Sequence, residues 1–122
     1  MSWSLDLTAA AQDDIATILG VSASTFGDRA RQRYADLIAT GLADLRDDPV
    51  RAGCVERPEL HLGTCTYHLR NSRRRSATRS ARVGTPRHLI LFRLEAGQVI
   101  VVLRVLHDAM ELSNWIEPGE HP

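Results

Sequence analysis

The sequence predicts an α+β fold: an N-terminal strand and an antiparallel helix hairpin packed on one face of a small antiparallel β-sheet, with a short C-terminal helix. Three observations carry this. Apolar residues recur at three- and four-residue spacing through two stretches before Pro49, as in amphipathic helices. They alternate with polar residues in SWSLDL and in CTYHLR, the period of a strand. Two apolar runs, RHLILFRL and QVIVVLRVLH, flank a glycine-containing turn.

The elements follow in order. Trp3, Leu5 and Leu7 alternate in the first strand. Thr8 is a suitable N-cap for AAAQDDIATILGVSAS, where Ala11, Ile15, Ile18 and Leu19 share one face. Asp13 and Asp14 sit early in this helix, where negative charge is favoured. Gly27 marks the turn into a second helix carrying Ala30, Tyr34, Leu37, Ile38, Gly41, Leu42 and Leu45, and DDP at Asp47–Pro49 ends it. VRAGCVERPE reads as loop, Leu60–Gly63 as a short strand, and Cys65–Arg70 as another. NSRRRSATRSARVGTP reads as a charged loop.

With a two-residue turn at Ala96-Gly97, Arg93 pairs with Ile100, Leu91 with Val102 and Leu89 with Arg104. His88, Ile90, Phe92, Leu94, Val99, Val101, Leu103 and Val105 then meet the helices. Arg87, Leu89, Leu91, Arg93, Ile100, Val102, Arg104 and Leu106 form a second face, aliphatic with three arginines, that is left partly open. Asp108–Ile116 reads as the C-terminal helix, with Asp108 and Glu111 as a capping box and Leu112, Trp115 and Ile116 apolar. Residues 1–117 are taken as one domain and 118–122 as a tail.

Composition narrows the function. All fifteen basic residues are arginine, and nine of them lie between Arg70 and Arg104, in a chain of zero net charge. Such clustering suits carboxylate or phosphate partners. Without lysine there is no amine base or Schiff-base residue. No apolar run is long enough to span a bilayer and no signal-peptide pattern begins the chain, so a cytoplasmic location without membrane contact is expected. Cys54 and Cys65 read as reduced and structural. The histidines lack metal-ligand spacing, and no phosphate loop or nucleophile elbow occurs, so neither metal nor cofactor is expected. One constellation has chemical potential: Tyr67, Arg70, Arg93, Arg104 and His107, where arginines would stabilise phosphoryl charge and His or Tyr would move a proton.

The phrases FGDRARQRY and YHLR…RHLILFR…VIVVLRVLHDAMEL resemble the ParE branch of the RelE/ParE toxin superfamily of bacterial type II toxin–antitoxin systems. The resemblance covers about residues 3–116. It is most specific at Arg104, Leu106, His107, Met110 and Glu111, and the preceding strand matches at Arg93. It implies a toxin that poisons DNA gyrase and is neutralised by a ParD-like antitoxin, with no sequence-specific nucleic-acid binding by the toxin alone. The antitoxin, acidic and amphipathic, would occupy Leu89, Leu91, Arg93, Ile100, Val102, Arg104 and Leu106. RelE-like relatives instead cut mRNA on the ribosome, using lysines and a terminal tyrosine. This chain has no lysine and no tyrosine after Tyr67, which favours the non-enzymatic reading. The alternatives are an mRNA endoribonuclease using Arg70, Arg93, Arg104 and His107, and an inactive antitoxin-binding module.

Overall fold

The computed structural model describes residues 3–76 and 82–110. In chain order it contains β1 (Ser4–Leu7), α1 (Ala9–Phe26), α2 (Asp28–Asp47), β2 (Cys54–Glu56), β3 (Thr64–His68), a 3-10 turn (Leu69–Ser72), α3 (Arg73–Ser76), β4 (His88–Glu95) and β5 (Val99–His107).

Helix α1 starts where its cap predicts. The Thr8 hydroxyl accepts the Ala11 N–H at 3.0 Å and donates to Leu103 O at 2.8 Å, so the cap also ties α1 to β5. Gly27 alone separates the two helices. Its φ of 91° lies in the region that glycine adopts without strain. Its N–H closes α1 on Ala23 O, and its carbonyl accepts the Arg31 N–H of α2. On α2, Leu37, Ile38, Gly41 and Leu45 are buried, as the spacing predicts. At Gly41 a Cβ would stand 2.7 Å from Leu69 Cδ2, so a bare backbone there lets α2 settle against the chain leaving β3.

Among the described residues the strands form one sheet in the order β1-β5-β4-β3-β2. It is mixed rather than antiparallel, because β1 joins β5 in parallel and the remaining pairs are antiparallel. The helix hairpin lies in the long connection between β1 and β5, so no tight turn dictates their direction. Two assignments in the middle change. The expected loop contains β2, which pairs Cys54–Glu56 with Cys65–Tyr67, and Leu60–Gly63 is not a strand. A three-residue strand is too short to show a period, and only its pairing with β3 defines it. The arginine-rich stretch, expected as a loop, begins in the 3-10 turn and continues as α3. The expected C-terminal helix lies outside the described residues beyond Met110; within them, Met110 N–H reaches His107 O at 3.0 Å in a turn.

The β4–β5 register departs from the expectation in two steps. The turn holds three residues, Ala96, Gly97 and Gln98, between the paired Glu95 and Val99. Gly97 and Gln98 both have positive φ, 83° and 59°. The pairs are therefore Arg93↔Val101 and Phe92↔Val102, which turns Ile100 and Val102 onto the helix-covered face. Both are fully buried there, with Ile90, Phe92, Leu37 and Tyr67. A bulge then skips Leu103, and Leu91 pairs with Arg104. An extra residue in one strand reverses the alternation once more. From Arg104 onward the faces are again those expected.

The second face also differs from the expected open floor. Leu91, Leu103 and Leu106 are 0%, 7% and 2% exposed and form a small second core with Leu60. Leu89 and Val101 pack against it partly buried. The segment after β2 turns back on itself, with Leu60 N–H bonded to Arg57 O at 3.0 Å, and this brings Leu60 into the cluster. Of the seven residues assigned to an antitoxin face, Ile100 and Val102 belong to the main core, and Leu91 and Leu106 are buried in the second one.

Candidate functional site

The strand arginines have structural partners. Arg104 donates from Nε and Nη2 to the two carboxylate oxygens of Asp14, each at 2.7 Å. Asp14 also accepts the backbone N–H of Val105 at 3.0 Å. Beyond Leu7, β1 no longer pairs with β5, so this carboxylate takes over an edge donor that would otherwise lack a strand partner. Arg93 stands between Thr64 and Val101 in the ladders, 3.6 Å from Glu95. Asp14 lies outside the first turn of α1, so it serves β5 rather than the helix dipole. Its place in the second turn of α1 aims it at β5.

Tyr67, a candidate proton donor, is fully buried. Its hydroxyl bonds Ser72 Oγ at 2.8 Å, and Ser72 donates to Asp44 at 2.6 Å. Arg75 and Arg51 neutralise Asp44 from outside. This network anchors the 3-10 turn and α3 to α2. Nearby, Cys54 and Cys65 are free, and burial pushes the Cys54 thiol up to about 11 and Cys65 upward as well. Neither is a nucleophile near neutral pH.

Titratable groups gather instead at the far end of the central hairpin. The bulge places His88 opposite His107, their rings edge to face with centroids 5.3 Å apart. Tyr34 of α2 stacks edgewise on His88 at 5.4 Å, and its hydroxyl lies 2.6 Å from His88 Nδ1. That hydroxyl also accepts the Arg87 N–H at 3.2 Å, leaving its own hydrogen for the imidazole. Burial, and then the charge of His107, depress the His88 pKa to about 4, so His88 is a neutral acceptor at pH 7. Burial raises the Tyr34 pKa.

One strand further, His68 Nε2 donates to Asp108 Oδ2 at 2.9 Å. Its Nδ1 accepts the Arg70 N–H at 3.1 Å, which sets the tautomer. Arg87 donates to the other Asp108 oxygen at 3.0 Å. The hydrogen bond from His68, with Arg87 adding to it, holds the Asp108 carboxyl below its ordinary value. A cleft of about 560 Å³ opens here, lined by His68, Arg70, Arg73, Arg87 and Asp108. Guanidinium groups around a shallow cleft, beside an oriented imidazole, can hold a phosphate or carboxylate.

The predicted catalytic set is not one site. His107 and Arg70 lie near this end, on either side of the 84–87 segment. Arg93 is five residues up β4 from His88, about 17 Å at a strand's rise. Arg104 is turned to Asp14. Sequence reasoning missed Tyr34, His68, Arg73, Arg87, His88 and Asp108 as a group. The one signal available was the concentration of histidines and arginines at strand ends, and it becomes a cluster only with the bulge in place.

A sequence model of the ParE toxin of type II toxin–antitoxin systems matches residues 5–112. The chain belongs to the ParE toxin family. It is thus a type II toxin of the RelE/ParE superfamily, as its closing motif suggested. The fold of this ParE-family chain is similar to that in the crystal structure of the RelBE2 toxin–antitoxin complex from Mycobacterium tuberculosis. The TM-score is 0.55 at 20% identity, covering 90% of this chain and 95% of the other. No curated protein matches it by sequence. The match takes in all the described strands from Leu5 onward, including Asp14, Arg104 and the His88–His107 pair.

Proposed function

We propose that this ParE-family toxin acts by binding rather than by cutting: it inhibits DNA gyrase in the cytoplasm, without a cofactor, and is neutralised by a ParD-like antitoxin. The observation that carries this reading is the family match combined with the dispersal of the nuclease set. Arg104 is engaged by Asp14, Tyr67 is sealed under α2, and Arg93 stands two turns of the pleat or more from His107. An acid, a base and a phosphate clamp must converge within hydrogen-bond reach of one reacting group.

A second reading, RelE-like mRNA cleavage, is favoured by one feature, the basic cleft with His68, Arg70, Arg73 and Arg87. It would use Arg70 of the sequence-based set, with His68 as the imidazole of the cleft, and leave His107, Arg93 and Arg104 outside. Two assays on the purified toxin separate the readings. Gyrase inhibition predicts loss of supercoiling with intact mRNA on translating ribosomes. Rapid mRNA cleavage that disappears in Arg87→Ala, with supercoiling unaffected, would overturn the gyrase reading in favour of the second.

A further inference from the structure

Two clefts meet at one ridge. The chain leading into β4 is exposed at Gly84, Thr85 and Arg87. On one side of it lies a cleft of about 720 Å³ with Arg33 of α2 in its wall, and on the other the basic cleft with Arg70 and Arg73. Arg29 stands one turn before Arg33 on the same side of α2. Arg74 follows Arg73 in α3. Part of this arginine surface is engaged: Arg87 by Asp108, Arg73 by Val83 O and Arg82 by Arg74 O. The guanidinium groups of Arg29, Arg33, Arg70 and Arg74 have no hydrogen bond or ion pair among the described residues. Nearby acids do not compensate them. Asp108, the only carboxylate lining either cleft among the described residues, is taken by His68 and Arg87. Asp36, on α2 beyond Arg33, accepts from Gln32 at 2.9 Å, and Asp28 stands in the first turn of α2, where the helix dipole attracts it.

Unpaired cations on both sides of a ridge suit a row of anions. A single phosphate or carboxylate would engage one cleft and leave the arginines of the other in water. A nucleic-acid backbone presents phosphates at regular intervals and meets both sides at once. The aromatic groups decide between duplex and single strand. Tracks for single strands stack successive bases on exposed rings. Here Tyr34, His88 and His107 pack edgewise on one another, His68 is bonded at both ring nitrogens, and Phe26 is the one exposed phenyl ring among the described residues. We propose that this arginine ridge rests on the phosphate backbone of duplex DNA without reading its sequence. The inference rests on the gyrase reading above for its setting, since the duplex would be the one the target enzyme holds. Phosphate contacts of this kind fix position and carry no sequence information.

The test uses the full-length toxin and fluorescence anisotropy with short DNA duplexes of two unrelated sequences, at several salt concentrations. The parent should bind both duplexes alike, and more weakly as salt rises. In the double variant Arg33→Ala, Arg70→Ala, affinity should fall at least about tenfold, and the slope of log Kd against log salt by about two, one for each lost phosphate contact. The double variant Arg31→Ala, Arg46→Ala removes the same charge outside both clefts, and its affinity should stay within twofold of the parent. Equal melting temperatures check that both variants are folded. Equal losses in the two double variants would reduce the effect to overall charge and overturn the inference, as would tighter binding of the parent to single-stranded RNA than to duplex DNA. If the parent inhibits supercoiling but binds no duplex at low salt, the ridge inference fails alone. If it binds duplex as expected but leaves supercoiling untouched, the gyrase reading fails alone.

Discussion

Two arginine–aspartate junctions can be compared directly. At the middle of β5, Arg104 and Asp14 meet through two hydrogen bonds, with side chains 21% and 14% exposed. At the end of the sheet, Arg87 and Asp108 meet with side chains 54% and 23% exposed. The chemical groups are identical and the consequences differ. The first junction is largely withdrawn from water, and Asp14 also carries a backbone donor of β5. Removing either partner would strand a charge. The second is wet, and its arginine lines both clefts. Its aspartate is shared with His68, and its arginine can release the carboxylate for another anion at little cost. The difference teaches that arginines clustered in a sequence divide by desolvation into architecture and contact surface.

The largest effect that would sharpen this comparison is at Asp14. Asp14→Ala leaves Arg104 and the Val105 N–H without their acceptor, and a loss of about 2–4 kcal/mol is expected in urea denaturation. A loss below about 1 kcal/mol would make the two junctions equivalent and break the comparison.

Acid should act at the end of the sheet. The folded His88 pKa, about 4, lies below its ordinary 6.5, so the unfolded state takes up the proton first. The His88 contribution is therefore fully present above about pH 6.5, falls as pH drops towards 4, and levels off below that. For a half-buried ring the loss should be about 1–2 kcal/mol after discounting for solvent screening. Asp108, held low by His68 and Arg87, adds a loss of the same sign at lower pH. Stability at pH 7 and pH 4 should differ less in His88→Gln than in the parent. An equal difference in both proteins would remove His88 from the account.

Tyr34→Phe deletes the hydroxyl shared by His88 and the Arg87 N–H, and about 1 kcal/mol should be lost. The smallest effect is expected for Arg87→Ala, under about 1 kcal/mol of stability, because the pair with Asp108 is exposed. A stability loss at Arg87 as large as at Asp14 would contradict the division between architecture and contact surface.

Much of the fold was legible in the sequence because it is written in local periods. Thr8 caps α1, Gly27 turns the hairpin, and the three-and-four spacing of Leu37, Ile38, Gly41 and Leu45 marks the buried side of α2. The candidate site was less legible. Arg70 and His107 fall near it, while Arg93 and Arg104 do not, and Tyr34, His68, Arg87, His88 and Asp108 come from separate parts of the chain.

By itself the sequence determined which segments are helix and which are long strand, and through its closing motif the toxin family. The helix and strand assignments follow from residue spacing and backbone preference over a few neighbours, and the family from the resemblance of the closing motif. Only the tertiary structure decided the register of the central hairpin, the parallel place of β1, the short β2 and the roles of the arginines. The physical reason is that side-chain direction alternates with every residue. A third residue in the turn exchanges Ile100 and Val102 with their neighbours, and a bulge at Leu103 reverses the alternation before Arg104. Neither event leaves a mark in the pattern of apolar residues, since Val99 to Leu103 are apolar throughout. Which aspartate met Arg104 then depended on where α1 crossed β5.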